Sequence, residues 1–168
     1  MIIIVEGTDR VGKTTLVNML RDRMAFVSFK DHLLKSRHVN NSKVMSEKLY
    51  SVALLLKEIN STGVNVVIDR FHLTELVYGM VERTTITSTF GVIDRMLAEM
   101  GAIIVHVQRT NHELSDKLAG YNQSRHEELF DHLIDDVTKC STMKTCFETL
   151  EGTYLRLIHI LHQQTEEE

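Results

Sequence analysis

The chain opens Met1-Ile2-Ile3-Ile4-Val5-Glu6-Gly7-Thr8-Asp9-Arg10-Val11-Gly12-Lys13-Thr14. Ile2 to Val5 is an apolar run with the character of a buried strand, and it feeds directly into the pattern G-x-x-x-x-G-K-T. Beyond it Leu16, Met19, Leu20 and Met24 recur at helical spacing, as the core face of a helix does. Strand, loop and helix in this order give each residue of the loop a physical task. Gly7 and Gly12 allow backbone conformations that a side chain would forbid, so successive N–H groups can turn toward phosphate oxygens. The helix starting near Lys13 adds its positive end. Lys13 is expected to reach the β- and γ-phosphates, and the Thr14 hydroxyl to ligate Mg²⁺. Gly7, Thr8, Asp9, Arg10, Val11, Gly12, Lys13, Thr14 and Thr15 are therefore expected to cradle a nucleoside triphosphate, with ATP the donor.

Composition bounds the alternatives. A chain of 168 residues fits one domain with a single core, spanning 1–168. Nineteen Lys and Arg against 23 Asp and Glu leave a net charge of −4, so no basic bias points to a nucleic acid polymer. A strand from the second residue leaves no room for a signal peptide, and no apolar run approaches the ~20 residues that span a bilayer. Cys140 and Cys146 lack metal-ligand spacing, and reduced thiols fit a cytoplasmic protein. His159 and His162 share a helix face without a third ligand, which describes solvated surface better than a metal site.

Along the chain, short apolar runs alternate with helical segments, the pattern of an α/β domain with a parallel sheet. Strands are expected at Ile2–Val5, Ala25–Phe29, Val64–Ile68 and Ala102–Val107, with a weaker fifth at Thr145–Leu150. Helices are expected at Lys13–Met24, Lys43–Ser61, Leu73–Arg83, Gly91–Met100, Ser124–Cys140 and Tyr154–His162.

A second feature closes the third of these strands: Asn65-Val-Val-Ile-Asp69-Arg70. Ligands of open parallel sheets bind beyond the carboxyl ends of the strands. If this strand neighbours the first, Asp69 arrives on the phosphate side and can hold Mg²⁺. Arg70 can grip a second phosphate with two parallel hydrogen bonds. A surface Asp-Arg ion pair is the bland alternative.

With these residues in view the chain resembles the thymidylate kinases. The loop Glu6-Gly-Thr-Asp-Arg-Val-Gly-Lys-Thr-Thr15 and the segment Asp69-Arg70-Phe71-His72-Leu73-Thr74-Glu75-Leu76-Val77-Tyr78 are similar to that family's two motifs. The resemblance implies a three-layer α/β P-loop kinase fold with a five-stranded parallel sheet in the order 2-3-1-4-5. It also implies transfer of the γ-phosphoryl of ATP to a deoxynucleoside monophosphate, dTMP or a related one. On this pattern Asp9 faces the acceptor's 3′-hydroxyl, Arg10 reaches the transferring phosphoryl, Arg70 holds the acceptor phosphate and Asp69 lies near Mg²⁺. Arg10, Lys13 and Asp69 are then the catalytic set, while Thr74 and Tyr78 line the pocket for base and sugar. A lid is expected within 109–125, with Arg109 stacked on the adenine and Lys117 and Arg125 either within reach of phosphates or plain helix-surface charge.

The chain departs from the family in two places. The region Phe29 to Arg37 has no proline beside a phosphate-binding arginine, leaving Lys30, Lys35 and Arg37 as substitutes or as plain surface charge. The second long helix offers only Tyr50 as an aromatic for stacking on the base. Two other functions remain open. One is a deoxynucleoside kinase, with Asp31 as the local carboxylate base. The other is a nucleotide-binding regulatory module. The sequence leaves a homodimer open.

Overall fold

The computed structural model describes residues 1–30, 42–83, 89–108 and 123–166. Five strands, β1 (Ile2–Glu6), β2 (Val27–Lys30), β3 (Val66–Asp69), β4 (Ile103–Gln108) and β5 (Ser141–Cys146), form one sheet in the order β2-β3-β1-β4-β5. Every neighbouring pair is parallel. The six helices among the described residues are α1 (Lys13–Met24), α2 (Ser42–Asn60), α3 (His72–Tyr78), α4 (Phe90–Glu99), α5 (Gln123–His132) and α6 (Leu150–Glu166). The expected sheet order is the one observed.

The central strands read as continuous apolar runs because both faces are covered. Alternate residues of β1 separate the two halves of the core. Ile2 and Ile4 face Leu49 of α2, Leu73 of α3, Leu97 of α4 and Phe130 of α5. Ile3 and Val5 face Leu16 and Leu20 of α1 and Tyr154 and Leu157 of α6. The result is three layers, helices on either side of a sheet, with β1 at the centre.

Element boundaries moved where local chemistry outweighs hydrophobic pattern. β2 starts two residues later than expected because Ala25, at φ 55°, closes α1 in the left-handed region. The fifth strand is not Thr145–Leu150 but Ser141–Cys146. It lies at the sheet's edge with Ser141, Thr142 and Lys144 exposed, so no apolar run announces it. Phe147–Thr149 is a single 3₁₀ turn, and Leu150 already begins α6. The helix expected to run through Cys140 ends at His132, followed by a wider π-type turn over Leu133–Val137. Likewise α3 gives way to a π-type turn, Gly79–Arg83, directly after Tyr78.

Candidate active site

The loop between β1 and α1 is built on positive φ angles. Gly7 (φ 137°), Arg10 (φ 62°) and Gly12 (φ 99°) all lie where L side chains are strained. At Gly7 a Cβ would collide with the backbone carbonyl of Val107 on β4, so glycine lets the loop sit down on the neighbouring strand. At Gly12 a Cβ would stand 2.7 Å from a ring carbon of Phe147. The Gly12 carbonyl accepts from the N–H groups of Thr15 (3.0 Å) and Leu16 (3.2 Å), opening α1. Thr8 and Val11 are buried, whereas Asp9, Arg10, Thr14 and Thr15 are exposed on the loop's outer side. Arg10 makes no hydrogen bond or ion pair among the described residues, which leaves its guanidinium available.

Lys13 is 5% exposed, and its ammonium donates to the Thr8 carbonyl within the loop. Burial pushes its pKa down to about 8. Arg70 adds repulsion, and the carboxylates of Asp9, Asp69 and Glu6 pull the other way.

Asp69 ends β3, which pairs directly with β1, so both elements deliver their last residues to one edge. The Thr14 hydroxyl donates to Asp69 Oδ2 at 3.1 Å. No group of three or more His, Cys, Asp or Glu among the described residues could hold a metal ion. The Thr14–Asp69 pair supplies two hard oxygen donors, which fits Mg²⁺. That ion takes few protein ligands and fills its octahedron with phosphate oxygens and water.

Arg70 follows in the left-handed region at φ 71°, its N–H bonded to the Val5 carbonyl at 2.9 Å. This turn swings its side chain over the loop, where the guanidinium pairs with Asp9. It lies 5.7 Å from the centroid of the Tyr78 ring. Burial opposes its charge, but Asp9, Tyr78 and Glu6 outweigh it and hold the pKa above the ordinary arginine value.

Glu6 is wholly buried beneath this assembly. One carboxylate oxygen accepts the Phe71 N–H at 3.0 Å and the other accepts the Thr74 hydroxyl. Burial raises its pKa, with His72 and the two hydrogen bonds opposing. The Thr74 hydroxyl, expected to line the base and sugar pocket, is thus engaged in holding α3 to β1. Tyr78 is half-buried at the far end of the same helix.

Four residues outside the expected set support the site. His72 Nε2 lies 3.1 Å from Asp94 Oδ1 of α4. Asp94 also accepts from the Thr138 hydroxyl at 2.5 Å and the Lys139 N–H at 2.7 Å, fixing the start of α3 from behind. Burial raises the pKa of the neighbouring Cys140 to about 12, with Asp94 adding to the effect. On α5, Glu127 accepts from the Thr8 hydroxyl at 3.3 Å, and the ring of His126 packs on Tyr78 with centroids 4.6 Å apart. No spacing rule in the sequence marks any of these, because their partners come from elements far away in the chain. Asp31, Lys35, Arg37, Arg109, Lys117 and nearly all of the expected lid lie outside the described residues. Arg125 is exposed on α5 and Tyr50 exposed on α2.

No protein-family profile matches the chain, and no curated protein sequence matches it either. Solved structures do. The YorR protein of Bacillus subtilis, solved in complex with phosphorylated GDP, is 19% identical, with 99% of this chain and 98% of that one covered and a TM-score of 0.75. Thymidylate kinase of Ehrlichia chaffeensis is 18% identical over 96% of this chain and 98% of its own, with a TM-score of 0.62. Deoxyadenosine kinase of M. mycoides is 14% identical over 97% and 100%, with a TM-score of 0.52. At these identities the likeness establishes a shared fold along nearly the whole chain.

Proposed function

We propose that this protein transfers the γ-phosphoryl group of ATP to a deoxynucleoside monophosphate, dTMP or a close relative. The observation that carries the reading is Arg70. A strained backbone turns this second cation over the phosphate loop, between Asp9 and Tyr78. A site for one triphosphate needs Lys13 and the loop amides; an added arginine beside them suits a second anion.

Transfer requires the two anions to be aligned in line and their repulsion neutralised. The acceptor phosphate is already ionised near neutral pH, so no strong general base is required. Its oxygen bonds to the γ-phosphorus as the bond to the β,γ-bridging oxygen breaks, leaving ADP and the nucleoside diphosphate. Arg70 would hold the acceptor phosphate and Asp9 its 3′-hydroxyl. Lys13 and the exposed Arg10 would meet the charge that spreads over the γ-oxygens. Tyr78 would border the sugar, with Thr74 one helical turn before it on α3. Mg²⁺, held by Thr14 and Asp69, would supply further neutralisation of the β,γ-phosphates. Since Asp9, Arg70 and Tyr78 lie on the β3 side of the loop, the donor base would run the other way. There Arg109 follows β4 in the chain and the exposed ring of Phe147 follows β5. We place the reaction in the cytoplasm, with no nucleic acid polymer or membrane involved; no helix among the described residues is long and apolar enough to cross one.

The fold shared with a deoxyadenosine kinase favours one competing reading, phosphorylation of a nucleoside rather than its monophosphate. The deciding experiment is ATP-dependent phosphorylation of a panel holding dTMP, dGMP, dCMP, dAMP and the four matching nucleosides. Turnover of a monophosphate well above its nucleoside is the expected result. Faster turnover of a nucleoside would overturn the assignment and put Asp31 at the centre. Turnover of none of them would favour a regulatory nucleotide-binding module.

A further inference from the structure

Tyr78 is the last residue of α3, where regular helix gives way to a π-type turn. The orientation of its ring is set by the side chains packed against it rather than by the helix backbone. Two side chains lie against that ring. Arg70 lies 5.7 Å from its centroid. The ring of His126 packs on it at 4.6 Å with an interplanar angle of 45°. His126 is 2% exposed and comes from α5, which packs along α3. Its neighbour in sequence, Glu127, is anchored to the phosphate loop through the Thr8 hydroxyl. Two adjacent residues of α5 thus touch the two halves of the site, one the donor loop and the other the aromatic beside Arg70.

We propose that His126 is a positioning residue for the acceptor nucleotide, acting through the Tyr78 ring on the Arg70 guanidinium. The inference rests on the acceptor reading given above. When an acceptor phosphate draws Arg70 away from Asp9, the orientation of the guanidinium depends on Tyr78, its neighbouring side-chain partner among the described residues. The plane of that ring is set in turn by His126. A flat ring at position 126 is what the packing uses, so an aromatic of similar size should serve in its place.

Steady-state kinetics of His126→Ala, His126→Leu and His126→Phe, with acceptor and ATP varied separately, test this. The expected result is a KM for the acceptor raised about fivefold or more in the Ala and Leu variants, with KM for ATP within about twofold of wild type. His126→Phe should return the acceptor KM to near the wild-type value. A double-mutant cycle separates positioning from bulk packing: in a Tyr78→Leu background, His126→Ala should add nothing further to the acceptor KM. An unchanged acceptor KM in both the Ala and Leu variants would overturn the inference. So would equal rises in both KM values, or an undiminished effect in the Tyr78→Leu background. His126→Leu keeps volume and His126→Phe keeps the ring, so the outcome stands even if the Ala variant fails to fold. Wild-type protein that phosphorylates no monophosphate would overturn the acceptor reading, and this inference with it. A wild type that does so, with kinetics indifferent to position 126, would overturn the inference alone.

Discussion

Lys13 shows what burial does to a single functional group. Its pKa is about 8, below the ordinary value near 10.5, so the folded protein binds fewer protons than the unfolded chain between these two pH values. Lys13 therefore weakens the fold below pH 8, and that penalty is relieved as pH rises toward 10.5. Lys13→Met should abolish transfer yet leave the ligand-free protein as stable as wild type or more so at pH 7, with the difference shrinking above pH 10. Denaturant titrations at the two pH values check both the sign and the trend. A bound triphosphate restores the charge, so ATP binding at pH 8 should take up on the order of half a proton, read by calorimetry in buffers of different ionisation enthalpy. Arg10 offers the contrasting case. Exposed and without a described partner, it should act mainly in the transition state, so Arg10→Gly should lower kcat much more than it weakens ATP binding. Unchanged kcat with lost affinity would make it a ground-state contact. Of all the scales the residue was the most legible beforehand. Gly7, Gly12, Lys13 and Thr14 are tied to one another by local backbone geometry, and local geometry is what a sequence motif encodes.

Among the elements, α3 carries most of what the site needs on the acceptor side. Only seven residues long, it depends on anchors at its start: Glu6 from β1 and, through His72, Asp94 from α4. The Thr74 hydroxyl shares the buried Glu6 carboxylate. Thr74→Val should cost about 1–3 kcal/mol, the range for leaving a buried hydrogen-bonding group unsatisfied. If its role is structural, the acceptor KM should change little once the variant is folded; a large KM change at unchanged stability would return Thr74 to the substrate pocket. Glu6 stands at the head of the loop motif, but the sequence does not say that its carboxylate is spent on Phe71 and Thr74. Such pairing depends on β1 and β3 lying side by side. The same limit explains β5. Its residues Ser141, Thr142 and Lys144 face solvent at the sheet's edge, so it lacks the continuous apolar run that marks the central strands β3, β1 and β4.

Over the molecule as a whole, the phosphate loop after β1 and Asp69 and Arg70 at the end of β3 stand at the carboxyl edge of one parallel sheet. The order β2-β3-β1-β4-β5 was legible from resemblance, while the reach of α5 across to Thr8 and Tyr78 was not, because it follows only from the packed layers. His106 reports on that packing. Within β4, in register with Glu6 of β1, it is buried and stacks on Phe130 of α5 at 5.4 Å. Burial lowers its pKa to about 4, partly offset by Asp131. Between pH 4 and 6.5 the unfolded chain therefore holds the extra proton, and stability should fall as pH drops through that window. Urea titrations of wild type and His106→Gln from pH 7 to pH 4 check this; the variant should lose less stability over the same range. An identical loss in both would assign the acid sensitivity to other groups.

On the proposed reading, the ion pair between Asp9 and Arg70 would turn acceptor binding into an exchange of partners. A phosphate that captures Arg70 would take away the ion-pair partner of Asp9 among the described residues, and leave a carboxylate beside an incoming anion. A ligand that also carries a sugar hydroxyl offers Asp9 a donor in return, whereas inorganic phosphate or a 3′-deoxy nucleotide offers none. Selectivity would then arise from the loss suffered by ligands that complete half of the trade. Such a pocket would ask of its substrate two credentials presented together, because the resting Asp9–Arg70 pair makes one of them insufficient.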